Sequence, residues 1–149
     1  MTEKDYSGTP LPRKLGIREG HAVAFVSEPP GFRDLLEPLP PGVEVRNRPR
    51  APLDVVVLFA TRRSELARRF GTLARAIAPS GGLWAAWPKK SSRIDNDLSF
   101  EAVQRIGLDT GLVDNKSAAI DADWQGLRFV VRVEDRPAWP IVLSRPTTA

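Results

Sequence analysis

The stretch DVVVLFATRRSELARRFGTLARAIAPSGGLWAAWPKK, residues 54–90, decides the fold. Asp54–Ala60 (DVVVLFA) is a continuous apolar run rich in β-branched residues, the pattern of a strand covered on both faces. Leu66, Phe70, Leu73 and Ile77 then recur at helical spacing beside Ala67, Ala74 and Ala78. The spacing predicts a helix that Thr61 or Ser64 caps and Pro79-Ser80-Gly81-Gly82 stops. Leu83–Trp87 (LWAAW) reads as a second buried strand, ended by Pro88-Lys89-Lys90. Two buried strands joined through a helix imply a parallel pair.

The alternation continues outward. Upstream, Ala22–Ser27 (AVAFVS) is a short buried strand. Phe32, Leu35, Leu36 and Leu39 predict a two-turn helix stopped by Pro38, Pro40 and Pro41, and Val43–Arg46 alternates like an edge strand. Only Asn47–Leu53 joins that strand to Asp54–Ala60. Seven extended residues reach about 23 Å, so this connection is expected to be extended, proline-stiffened and free of helix. Downstream, Ser99 is placed to cap a helix containing Phe100, Val103 and Ile106, closed by Gly107 or Gly111. Strands around Lys116–Ile120 and Leu127–Val133, six residues apart, predict an antiparallel hairpin. The expected class is α/β: a mostly parallel sheet with helices on both faces and a C-terminal antiparallel hairpin. The expected organisation is a loose arm over residues 1–14, one domain over 15–135 and an extended tail over 136–149, with Trp139 and Ile141–Leu143 able to dock on the body.

Composition bounds the chemistry. The 149 residues carry no cysteine and one histidine, which excludes disulfides, thiolate metal sites and cysteine catalysis and argues against a histidine-built zinc site or catalytic triad. No apolar run approaches the ~20 residues of a membrane span, and the start, MTEKDYSGTPLPRKLG, is unlike a signal peptide, so the expected location is the cytosol. The net charge of +4 is uneven: Arg46–Arg93 has a net of +9, the residues before it −2 and those after it −3. Such a middle third suits a phosphate-bearing partner, though the simpler reading is a solvated arginine-rich face.

The strand DVVVLF, its helix and LARAIAPSGGLWAAWPK resemble the second half of a class I S-adenosylmethionine-dependent methyltransferase, where a strand–helix segment leads to a Leu-x-Pro-Gly-Gly turn and the next strand. The closing hairpin resembles theirs. Leu15–Val133 is similar to a small bacterial family of unknown function that shares Leu-Gly-Ile-x-x-Gly, here Leu15–Gly20, a Pro-Gly-Phe turn after the first strand and a Trp-Pro-Lys-Lys end to the fourth. The resemblance implies a reduced, Rossmann-like methyltransferase fold without a defined activity.

Three features set the chain apart from the methyltransferase pattern. The turn after the first strand is Ser27-Glu28-Pro29-Pro30-Gly31, with one glycine and two prolines where bare backbone would approach a cofactor. Arg46-Asn47-Arg48 stands where an acidic residue would hold ribose hydroxyls, and the strand and helices expected next are absent. S-adenosylmethionine is therefore disfavoured, and no other cofactor is expected. What remains at the carboxyl edge of the sheet is cationic: Ser27, Gly31, Thr61, Arg62, Lys89, Lys90 and Arg93 form a candidate anion site, aided by the positive end of the helix after Thr61. His21 and Asp54 begin their strands at the opposite end, Asp121 and Asp123 read as turn formers, and Trp84, Trp87 and Trp124 as packing. The expectation is a non-catalytic domain binding an anionic small molecule or a protein partner at that rim. The alternatives are a methyltransferase with an atypical cofactor loop and a nucleic-acid accessory protein.

Overall fold

A computed structural model describes residues 9–140. Its elements are α1 (Leu11–Leu15), β1 (Ala22–Val26), a 3₁₀ turn (Arg33–Leu36), β2 (Glu44–Val45), β3 (Leu53–Phe59), α2 (Arg63–Ala74), β4 (Ile77–Pro88), α3 (Phe100–Asp109), β5 (Val113–Ala119), β6 (Trp124–Val130) and a 3₁₀ segment (Val133–Ala138). They build one six-stranded sheet in the order β2-β1-β3-β4-β6-β5. β2, β1, β3 and β4 pair in parallel, and β6 runs antiparallel to both β4 and β5. The sheet is thus mostly parallel with a C-terminal antiparallel pair, as the sequence predicts. No helix among the described residues is long and apolar enough to cross a membrane.

Strand alternation divides the interior into two layers. Ala24, Val56, Leu58, Leu83, Leu127 and Phe129 face α2 and α3, meeting Leu66, Phe70, Leu73 and Val103. Val23, Phe25, Val57, Phe59 and Trp84 face the other way, toward Leu11 and Leu15 of α1 and Phe32 and Leu36 of the 3₁₀ turn. The first layer has full helices; the second is closed by short pieces and edge-to-face aromatic contacts running Phe25–Phe32–Phe59–Trp124.

Several boundaries differ from the sequence reading for local reasons. The expected loose arm is ordered at its end: α1 buries Leu11, Pro12 and Leu15, starts beside prolines and closes on Gly16 at φ 82°. The expected two-turn helix after β1 shrinks to the single turn Arg33–Leu36, since the prolines on either side leave no room for more. Neither Thr61 nor Ser64 caps α2, whose N-cap is Arg62 and whose last residue is Ala74. Pro79–Gly82 then belongs to β4 rather than to a helix stop. Gly81 explains why: a Cβ there would lie 2.8 Å from the Leu53 carbonyl oxygen, so the two strand starts approach as only glycine permits, across an irregular register. Ser99 caps α3 as expected, its Oγ accepting the Ala102 N–H at 3.2 Å. At the tail, Val133–Ala138 is a 3₁₀ segment rather than extended, and Trp139 docks in the α2–α3 layer, while Ile141–Leu143 lies outside the described residues.

Candidate functional site

The chain leaves β1, pairs β2 on one side, then crosses to β3 on the other, so the topological switch lies between β1 and β3, where open α/β sheets take ligands beyond the strand carboxyl ends. A cleft of about 570 Å³ opens there, bounded by Val26 and Ser27 at the end of β1, Asn47 and Pro49 after β2, and Arg69 and Leu73 on the flank of α2. Ser27 is the one non-glycine residue at positive φ (59°) among the described residues, a costly conformation for serine that is found preferentially at functional turns.

Arg46 shapes the wall of this cleft by turning away from it. Its Nη1 donates to the carbonyls of Arg50 and Pro52 at 2.7 and 2.9 Å, and its Nε donates to Glu44 at 3.1 Å. It thus staples the extended β2–β3 connection and leaves the neighbouring Asn47 at the cleft. Across from it, Arg69 has a buried Nε with no hydrogen-bond partner; the nearest carboxylate oxygen, on Glu65, is 3.8 Å away. The cleft therefore offers a hydroxyl, a neutral amide, a guanidinium whose Nε donates no hydrogen bond, and apolar surface.

The seven residues predicted to form an anion site fall into separate places. Ser27 lines the switch-point cleft. Gly31, at φ 85°, lines a shallow hollow with Pro29, Pro30 and Arg33, where Arg33 pairs with Glu28 at 2.6 Å. The positive end of α2 is already served from within the chain: the Asp97 carboxylate accepts the Arg63 N–H at 2.7 Å, and Asp95 pairs with Arg62 at 2.7 Å. The Thr61 carbonyl accepts the Asp97 N–H at 3.1 Å. Lys89 and Lys90 line a second cavity of about 590 Å³ with Ser92, Asn96 and Phe100, and Arg93 is exposed and lines neither cavity.

The remaining candidates have structural work. Asp54 accepts the Ala22 N–H at 2.8 Å, and Asp121 accepts those of Asp123 and Trp124 at 2.8 and 2.9 Å. Trp84 is fully buried, with its indole N–H on the Leu15 carbonyl at 3.0 Å. Sequence reasoning missed Asn47, Arg69 and a larger cleft at the amino ends of the strands; that cleft holds Arg128, whose pKa is lowered by burial first and then by the charges of Arg136 and Arg18. Their side chains come together only through contacts distant in sequence.

No protein-family model matches the chain, and no curated protein is similar to it. Solved structures are similar in fold. A putative type 11 methyltransferase of Sulfolobus solfataricus superposes with a TM-score of 0.58 at 11% identity over 83% of this chain and 90% of its own. An S-adenosylmethionine-dependent methyltransferase of Aquifex aeolicus gives 0.56 at 16% identity over 80% and 87%. The magnesium protoporphyrin IX methyltransferase of Synechocystis, solved with bound S-adenosylmethionine, gives 0.52 at 10% identity over 82% and 74%. The chain spans only 50% of the mitomycin 7-O-methyltransferase MmcR.

These neighbours correct the expectation that the methyl donor is disfavoured, since structures similar in fold include an S-adenosylmethionine-dependent methyltransferase and one with the donor bound. The prolines misled for a spatial reason. Pro29 and Pro30 line the shallow hollow with Gly31 and Arg33, not the switch-point cleft, which β1 enters through Val26 and Ser27.

Proposed function

We propose that the switch-point cleft binds S-adenosylmethionine and that the domain is a methyltransferase with an atypical cofactor loop. The observation that carries this reading is the cleft itself: it lies at the chain reversal between β1 and β3, in a fold shared with S-adenosylmethionine-dependent enzymes, and its volume of about 570 Å³ is that of a small-molecule pocket.

The residues present fit the group. The Asn47 amide and the Ser27 hydroxyl supply both acceptors and donors for ribose hydroxyls, Asn47 standing in for a carboxylate after the second strand. Val26, Pro49 and Leu73 supply apolar surface for a purine, and the unsatisfied Nε of Arg69 suits the carboxylate of the amino-acid moiety. When bound, the cofactor supplies a methyl group made electrophilic by its positive sulfur. The chain's part is to hold it in one orientation and keep water out, so that an acceptor meets the methyl group at a fixed distance. A neutral amide binds ribose hydroxyls less strongly than a carboxylate, so affinity should be modest.

Calorimetric titration with S-adenosylmethionine and S-adenosylhomocysteine tests the reading. Binding should weaken about tenfold in Asn47→Leu, the loss expected when one or two hydrogen bonds to the ligand are removed. Absence of binding at millimolar concentration, or affinity unmoved by Asn47→Leu and Arg69→Leu, would exclude this cleft.

A further inference from the structure

A cleft of about 1080 Å³ opens at the amino ends of the strands, at the opposite end of the sheet from Ser27. Among the described residues five cations from three parts of the chain line it: Arg13 and Lys14 of α1 with Arg18 before β1, Lys116 of β5 and Arg128 of β6. Lys116 donates its Nζ to the Lys14 carbonyl at 2.9 Å, which ties β5 to α1 and fixes the spacing of the group. The lining carboxylate, Asp54, is engaged by the Ala22 N–H, and His21 Nδ1 accepts the Arg18 N–H at 3.1 Å. Among the described residues none of the five cations forms an ion pair.

Arg128 stands apart from the exposed cations of the group because it is half-buried. Its Nε is buried without a hydrogen-bond partner. Its seat is built for it: Arg128 stands opposite Trp84 in the β4–β6 ladder, and its guanidinium lies over Gly82, where a Cβ would come within 2.5 Å of Nε. Removing a guanidinium from water with no counter-charge opposes folding, and so do the nearby charges of Arg136 and Arg18. An anion in the cleft would offset both.

We propose that this cleft binds a small anion carrying two or more phosphate groups. One phosphate would leave most of the five charges unanswered and most of the volume empty. Among the described residues the lining has no Phe, Tyr or Trp on which nucleic-acid bases could stack, and the hollow has the size of a small-molecule pocket. Guanidinium forks with neighbouring ammonium groups are the donors that phosphate oxygens take.

The test is calorimetry on the full chain with sodium tripolyphosphate, ATP and a duplex RNA, alongside S-adenosylhomocysteine. Tripolyphosphate should bind, and Arg128→Met should weaken it at least tenfold. Arg18→Ala and Lys116→Ala, which alter exposed side chains and spare the core, should each weaken it several-fold. S-adenosylhomocysteine affinity should not move in any of the three, which keeps this proposal separable from the cofactor reading. Equal affinity for tripolyphosphate and ATP assigns recognition to the phosphates, and tighter ATP binding adds a nucleoside contact; both support the proposal. No tripolyphosphate binding at millimolar concentration, binding unchanged in Arg18→Ala and Lys116→Ala, or a clear preference for the RNA would overturn it.

Discussion

The carboxylate of Asp97 accepts the backbone N–H of Arg63 at 2.7 Å, so a residue 34 positions downstream serves as the cap of α2. The Asp97 carbonyl also accepts the Arg63 Nε at 2.8 Å, and the loop after β4 is thereby bound to the start of that helix. Asp97→Ala should cost about 1 kcal/mol, the usual worth of a helix cap, with Asp97→Asn losing less because an acceptor remains. Urea denaturation of both variants reads the difference, and equal losses would show that the contact does not act as a cap.

Gly107 sits where α3 crosses β6, and a Cβ there would fall 2.0 Å from the ring of Phe129, which is fully buried and edge-on to Phe70. Gly107→Ala should destabilise the fold by roughly 2 kcal/mol through overpacking, although alanine favours a helix. A melting temperature at or above that of the parent would contradict the packing described.

The indole of Trp84 holds the end of α1 against the sheet through the Leu15 carbonyl. Trp84→Phe should cost about 2 kcal/mol, combining a lost buried hydrogen bond with a small void. Hydrogen exchange should show the excess opening concentrated in Leu11–Leu15. Uniform loss of protection would mean that α1 is held by other contacts.

Arg128 yields a prediction with a defined sign. Burial and like charge hold its pKa below the unfolded value. A basic group depressed in the folded state opposes folding wherever the unfolded chain carries its charge, and the penalty recedes only as pH rises through the folded value. Arg128→Met should therefore raise stability, and by the same amount at pH 6 and pH 8, as read by urea denaturation at the two pH values. It should do so while weakening tripolyphosphate binding, the trade expected of a residue kept for a ligand. A destabilised variant would show that Arg128 is paid for by packing alone.

How far the sequence reaches can be seen in particular residues. The β3 run and the α2 stripe Leu66, Phe70 and Leu73 are local patterns, so their type and burial were legible, as was the Ser99 cap. Gly81 and Gly82 were read as a helix stop because a glycine pair signals a turn. In the fold Gly81 permits a close backbone approach to Leu53, and Gly82 a seat for Arg128. α1 had its signals in Leu11, Leu15 and Gly16, but flanking prolines hid a helix of little more than one turn. The candidate site was least legible. Arg62 and Asp95 meet across 33 residues and Lys116 and Lys14 across 102, and nothing in local composition distinguishes a cation that is already neutralised from one held without a partner.

The central claim is that the cleft beside Ser27 and Asn47 receives the methyl donor. A crystal structure of the protein soaked with S-adenosylhomocysteine tests it most directly. The account predicts ribose hydroxyls within hydrogen-bond distance of Asn47 and the amino-acid carboxylate beside Arg69. A cleft that stays empty while the ligand is present elsewhere or nowhere, with Ser27 and Asn47 in contact only with solvent, would contradict it.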